Sequence, residues 1–101
     1  MKRAAMKITP YGSSPIFDEK SLPDSLRNEH RTKDGTWGLV RVLEGEVTLV
    51  FLDPPSEHFV TVDDPAPIPP QSPHFIKLVG PMKMQVEFYR DHPLGADNSG
   101  G

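Results

Sequence analysis

Residues 36–52 read TWGLVRVLEGEVTLVFL. Two runs rich in β-branched and aromatic residues, 36–43 and 47–52, flank Glu44-Gly45-Glu46. Branched side chains are stiff and pack well on a pleated surface, so both runs predict strands. The short glycine-containing link predicts a hairpin between them. Downstream, EHFVTV (57–62) follows the turn residues DPPS and predicts another strand. APIPP (66–70) is too rich in proline for a central strand, because proline cannot donate to a ladder; it reads as an edge or an extended connector. HFIKLVG (74–80) and MKMQVEFY (82–89) predict a second hairpin around Gly80-Pro81. Upstream, AAMKIT (4–9) is a candidate first strand, an edge or a dimer-forming arm. YGSSP (11–15) reads as loop, and SLPDSLRNEH (21–30) holds at most one helical turn after Pro23. Six to eight short strands with almost no helix predict an all-β sandwich or barrel.

The chain has 101 residues, room for one domain with a thin core. The chain has 12 prolines, and most of them cluster between the apolar runs, at 54–55, 65–70, 73 and 81, which suits strands joined by rigid turns. Net charge is −3 and no basic face stands out, so nucleic acid is not an expected partner. The apolar runs are too short for a membrane helix. MKRAAMKITP has two basic residues near its start but no apolar run of the kind a secretory signal needs. There is no cysteine, which removes disulfides, thiolate nucleophiles and Cys-zinc sites, and such a chain suits the cytoplasm. The serines lie outside any nucleophile-elbow pattern, and no glycine-rich phosphate loop is present.

Period-two alternation sorts side chains by face. Met84, Val86 and Phe88 share one face; Gln85, Glu87 and Tyr89 share the other. His74 alternates with Ile76 and Leu78, an otherwise apolar face, so it is expected to look inward. His30 lies in a charged loop just before the Trp37 strand. Alternation alone leaves Glu87 open. It either faces the interior, where a carboxylate needs a partner, or is a solvated residue on the outside. Arg41 alternates with Leu39 and Leu43 and could pair with Glu87. Thr32, Lys33, Trp37, Arg41, Gln85 and Tyr89 are the candidate pocket residues, with Lys33 and Arg41 suited to an anion. His58 and His92 read as surface residues.

The histidine loop, VLEGEVTLVF (42–51) and PIPPQSPH (67–74) together resemble the cupin superfamily, small jelly-roll-like double-stranded β-helix barrels. Cupins carry His-x-His with a following Glu, then Pro-x-Gly-x-x-His. Here His30 matches the first His, Thr32 stands at the second, and Trp37 stands near the Glu. Pro69 and His74 fit the later motif, with Gln71 in place of Gly. LPDSLRNEHRTKDGTWGLVRVLEGEVTLVF (22–51), PIPPQSPHFIKL (67–78) and MQVEFY (84–89) are more narrowly similar to the small cupins at the N-terminus of some tellurite-resistance methyltransferases (TehB) and to stand-alone YeaR-like proteins. The resemblance implies a cupin domain over 14–91; the candidate strand before it makes 1–13 an N-terminal strand or arm, and the tail over 92–101, ending LGADNSGG with nothing to bury, is expected to be flexible.

The resemblance also implies a metal set of His30, His74 and Glu87. Two imidazoles and a carboxylate with open positions suit Fe(II) or Zn(II); Mn and Ni are further options. The function it implies is a metal-containing binding or stress-response cupin with a small polar or anionic ligand; the edges that an open barrel of this size leaves uncovered predict a dimer through edge strands. The alternatives are a metal-dependent dioxygenase or isomerase at the same site, and a metal-free interaction module. The methyltransferase part of the longer relatives has no counterpart here, so that activity is not expected.

Overall fold

The computed structural model describes residues 9–93. They form two antiparallel sheets. The first contains β1 (Gly12–Ser13), β2 (Phe17–Asp18), β4 (Trp37–Glu44), β7 (Ala66–Ile68) and β9 (Lys83–Tyr89), in the order β1-β9-β4-β7, with β2 also on β9. The second contains β3 (His30–Arg31), β5 (Glu46–Leu52), β6 (Pro55–Thr61) and β8 (Pro73–Leu78), in the order β3-β8-β5-β6. One 3-10 turn, Asp24–Leu26, lies between β2 and β3. No helix among the described residues is long and apolar enough to cross a membrane.

Neither expected hairpin forms. β4 pairs with β9 and β7, while β5 pairs with β6 and β8, so Glu44-Gly45-Glu46 is a corner between sheets. The link at Gly80-Pro81 is likewise a corner, carrying the chain from β8 in the second sheet to β9 in the first. The reason lies in how the two links pack. Gly45 takes φ 74°, and a Cβ there would run into the Pro81 carbonyl and Met82. A register shift between Val42 and Glu44 bends β4 toward this corner, and Lys83 reaches Glu44 at 3.5 Å across it. The hairpin that does form joins β5 to β6 across Asp53-Pro54. APIPP supplies the short edge strand β7, as its prolines require. The strand expected over 4–9 falls almost wholly outside the described residues, as does most of the expected tail.

The sheets bury their facing sides against each other. Val40, Val42 and Met84 of the first meet Val47, Leu49, Val60 and Ile76 of the second, all essentially without exposure. Removing such side chains from water stabilises the fold by about 1.5–3 kcal/mol each. Register fixes who shares this inner face: Gly38 opposes Phe88 and Val40 opposes Val86, while Phe51 opposes His74 and Leu49 opposes Ile76. The outer face of the first sheet carries Trp37, Leu39 and Arg41 of β4 beside Tyr89, Glu87 and Gln85 of β9.

Candidate functional site

At one end of the sandwich the sheets do not close, and a cavity of about 560 Å³ remains between them. Its walls are mainly apolar and include Ile68, Ile76, Val86 and Phe88. Gly38 belongs to the same wall. A Cβ built there would meet Ile68 and Val86 at 3.6 Å, an ordinary contact, so packing does not require the glycine. The strap that carries β1 and β2 covers one side. There Tyr11 and Thr36 join hydroxyls at 3.0 Å, and Arg90 lies over the Tyr11 ring at 4.6 Å.

Two imidazoles share this cavity. β3 and β8 place His30 directly opposite His74, with ring centroids 5.0 Å apart and edge to face. His74 is 4% exposed, and its Nδ1–H donates to the Ser72 carbonyl at 2.8 Å. Burial pushes its pKa down, the Ser72 bond opposes this, and the nearby His30 adds to the lowering. The ring is therefore neutral near pH 7. Lys33 and Arg31 stand exposed at the rim, and Thr32 fixes the loop by donating from its hydroxyl to the Pro69 carbonyl at 2.8 Å. Gln71 N–H donates to the Thr32 carbonyl at 2.9 Å, so the loop before β4 and the loop before β8 are tied together. The cavity lining includes no Asp or Glu.

The other named residues lie elsewhere. Glu87 is on the outer face of the first sheet, where Arg41 Nε donates to its Oε1 at 3.0 Å and Tyr89 OH donates to the same oxygen at 2.8 Å. Burial raises the Tyr89 pKa, and the bond to Glu87 adds to it. For Arg41, burial works against a net rise that comes from Glu87. Gln85 is not among the residues lining the cavity; its Nε2 donates to the Ser14 carbonyl at 3.2 Å. Trp37 borders a second cavity of about 640 Å³, where its ring meets His92 at 4.5 Å. His58, read as a surface residue, is exposed but packs edge to face on Phe51 at 5.3 Å beside that cavity. Tyr11, Phe17 and Leu26 line the first cavity and were not legible as such, because the strap they sit on has no periodic pattern.

The metal expectation is therefore corrected. His30 and His74 meet, but Glu87 is on the far side of the first sheet and committed to Arg41 and Tyr89. Among the described residues no group of three or more His, Asp or Glu could hold a metal ion.

Comparison with known proteins points the same way. Residues 12–86 match the family model described as a TehB-like domain. Two proteins of Haemophilus influenzae, from strains 10810 and ATCC 51907 / DSM 11121 / KW20 / Rd, are each named probable S-adenosyl-L-methionine-dependent methyltransferase TehB. Each is 31% identical over 85 residues, which is 78% of this chain and 30% of theirs. The chain thus spans 30% of the length of the curated relatives it matches. The crystal structure of TehB from Haemophilus influenzae superposes with a TM-score of 0.71 at 27% identity, over 82% of this chain and 31% of that one. A protein of Escherichia coli K12 superposes at 0.73 with 17% identity, over 88% of this chain and 96% of that one, a likeness of fold. These matches are to a TehB-like domain and not to a metal-dependent cupin. The relatives' name carries S-adenosylmethionine and no divalent metal, so the metal-containing stress-response reading and the dioxygenase or isomerase reading both give way.

Proposed function

Because the chain belongs to the TehB-like domain family, we propose that it is a small-molecule-binding module whose site is the cavity between its sheets. In this reading the two sheets are a double-stranded β-helix of the cupin and YeaR-like type that works without a metal. The observation that carries it is the 560 Å³ cavity with a buried imidazole and a glycine that packing does not require on its wall. Ligand sites are typically apolar clefts of this size with a few placed polar groups. A glycine inside a strand often marks close approach by a ligand. The ligand has an apolar body that meets Ile76, Val86 and Phe88 and a polar end that meets His30 and His74. Arg31 and Lys33 at the rim favour an anionic substituent.

The relatives' name makes a methyl acceptor the first class of ligand to test. S-adenosylmethionine is the second reading, favoured by the same name. The absence of a lining carboxylate speaks against it, since such a side chain commonly holds ribose hydroxyls, and the cationic rim opposes a sulfonium. The test is an amide NMR titration of the full chain with small aromatic and aliphatic acids, alcohols and thiols, and with S-adenosylmethionine. Saturable shifts at Gly38, His74, Ile76 and Val86 are expected for at least one acceptor class, and Gly38→Val, which fills the cavity, should abolish them. Silence at these residues for every compound would refute the site. Saturation by S-adenosylmethionine alone would make this a cofactor site. The same reading pairs two copies of the chain through β6, the outer strand of the second sheet.

A further inference from the structure

We propose that the inter-sheet cavity selects ligands whose polar end donates a hydrogen bond, the phenol and alcohol class, because the buried ring of His74 is fixed as an acceptor. This rests on the cavity being a binding site. A carbonyl oxygen can only accept, so the 2.8 Å contact to Ser72 places a hydrogen on Nδ1 of His74. In the neutral ring the lone pair then lies on Nε2, the distal nitrogen of a ring that lines the cavity. The bond to Ser72 is the only hydrogen bond the His74 ring makes among the described residues. His74, 4% exposed, thus holds an acceptor that no described residue pairs, which is costly unless water in the cavity or a ligand donates to it.

No side chain among the described residues donates to that nitrogen. Ile68, Ile76, Val86 and Phe88 are apolar, and the Tyr11 and Thr36 hydroxyls are paired with each other. The His30 ring, edge to face at 5.0 Å, makes no hydrogen bond to another described residue. It is available to donate to the same ligand oxygen that donates to His74. A carboxylate or ether at that point would set lone pair against lone pair. Lowering of the His74 pKa by burial keeps the acceptor form populated near neutral pH.

The test uses the full chain and three probes of similar size: phenol, anisole and benzoate. Affinities come from amide NMR titration, and the ring state from long-range ¹⁵N spectra of the histidines. The free protein should show His74 protonated on Nδ1. Phenol should bind at least about tenfold more tightly than anisole or benzoate, since a site left with an unpaired polar group discriminates strongly. Phenol should also shift the Nε2 resonance. His74→Phe keeps a ring of similar size and removes the acceptor, so its preference for phenol over anisole should fall to about one. If that variant does not fold, the ¹⁵N spectrum of the unaltered protein still decides. Equal affinity for phenol and anisole, or a proton on Nε2, overturns the selectivity and leaves the cavity reading in place. No saturable shift at the cavity with any of the three overturns both.

Discussion

Gln71 sits at φ 59°, in the left-handed region, at the position where the cupin motif has glycine. Its backbone is what the structure uses: the N–H bonds Thr32 and the carbonyl accepts from Arg31 Nη1 at 3.1 Å. A side chain in this region is disfavoured by its Cβ, so Gln71→Gly should raise the unfolding free energy by about 0.5–1 kcal/mol, read from urea titration. His74 makes a different prediction. Burial lowers its folded pKa below the ordinary 6.5, so the unfolded chain binds the proton first as pH falls. The stability tied to the neutral ring is fully present above pH 6.5 and is lost as pH drops below that toward the folded pKa. Urea midpoints should fall from about pH 7 to about pH 5, more steeply than in His74→Gln. Glu87 is separated from both histidines by a whole sheet. Glu87→Gln should cost about 1 kcal/mol, kept low because Arg41 is 39% exposed, and should leave cavity titrations unchanged.

The corners are what turn the nine short strands of the described residues into a sandwich. Gly45 is held at φ 74° with Pro81 and Met82 against it, so two links far apart in sequence stack on one another. Gly45→Ala should cost about 2–4 kcal/mol, the left-handed strain plus the collision with the Pro81 carbonyl. Gly35 has φ 75° but open space around it, so Gly35→Ala should cost only the strain, about 1–2 kcal/mol. Chemical denaturation of the pair isolates the packing contribution. These corners also mark where the sequence stops being legible. Residues 36–43, 47–52, 74–79 and 82–89 announce strands through local chemistry, and alternation turned His74 inward with Ile76 and Leu78 and put Met84, Val86 and Phe88 on one shared face. A glycine between two strands looks the same whether the chain folds back or crosses to another sheet. That choice depends on partners 40 or so residues away, for example the pairing of Val40 with Val86. The meeting of His30 with His74 is equally non-local, and only resemblance hinted at it. Glu87 was undecided because alternation gives parity without saying which side is inside; the register of β9 against β4 supplies the answer.

The molecule as a whole manages its sheet edges unevenly. β1, β2 and β3 are two residues each, and β7 is three residues with Pro67 at its centre, so these edges offer little to a second chain. β6 is seven residues long, is hydrogen bonded along one side to β5, and ends the second sheet. It carries no Lys, and Phe59 at its outer face is 70% exposed. Val50 and Phe75 oppose each other on that same outer face, with Glu57 of β6 opposite Val50 and Lys77 of β8 opposite Thr48. An edge with this length and this aromatic is a template for pairing, which is why the proposed self-association runs through β6. Phe59→Lys places a charge where two copies would meet. Light scattering should then report a shift from twice 11.2 kDa toward 11.2 kDa, with the melting temperature nearly unchanged because Phe59 packs against little within its own chain. An unaltered mass in both proteins would move the association elsewhere or remove it. Ligand titrations on the variant should match the unaltered protein, because the cavity lies between the inner faces and Phe59 points away from it.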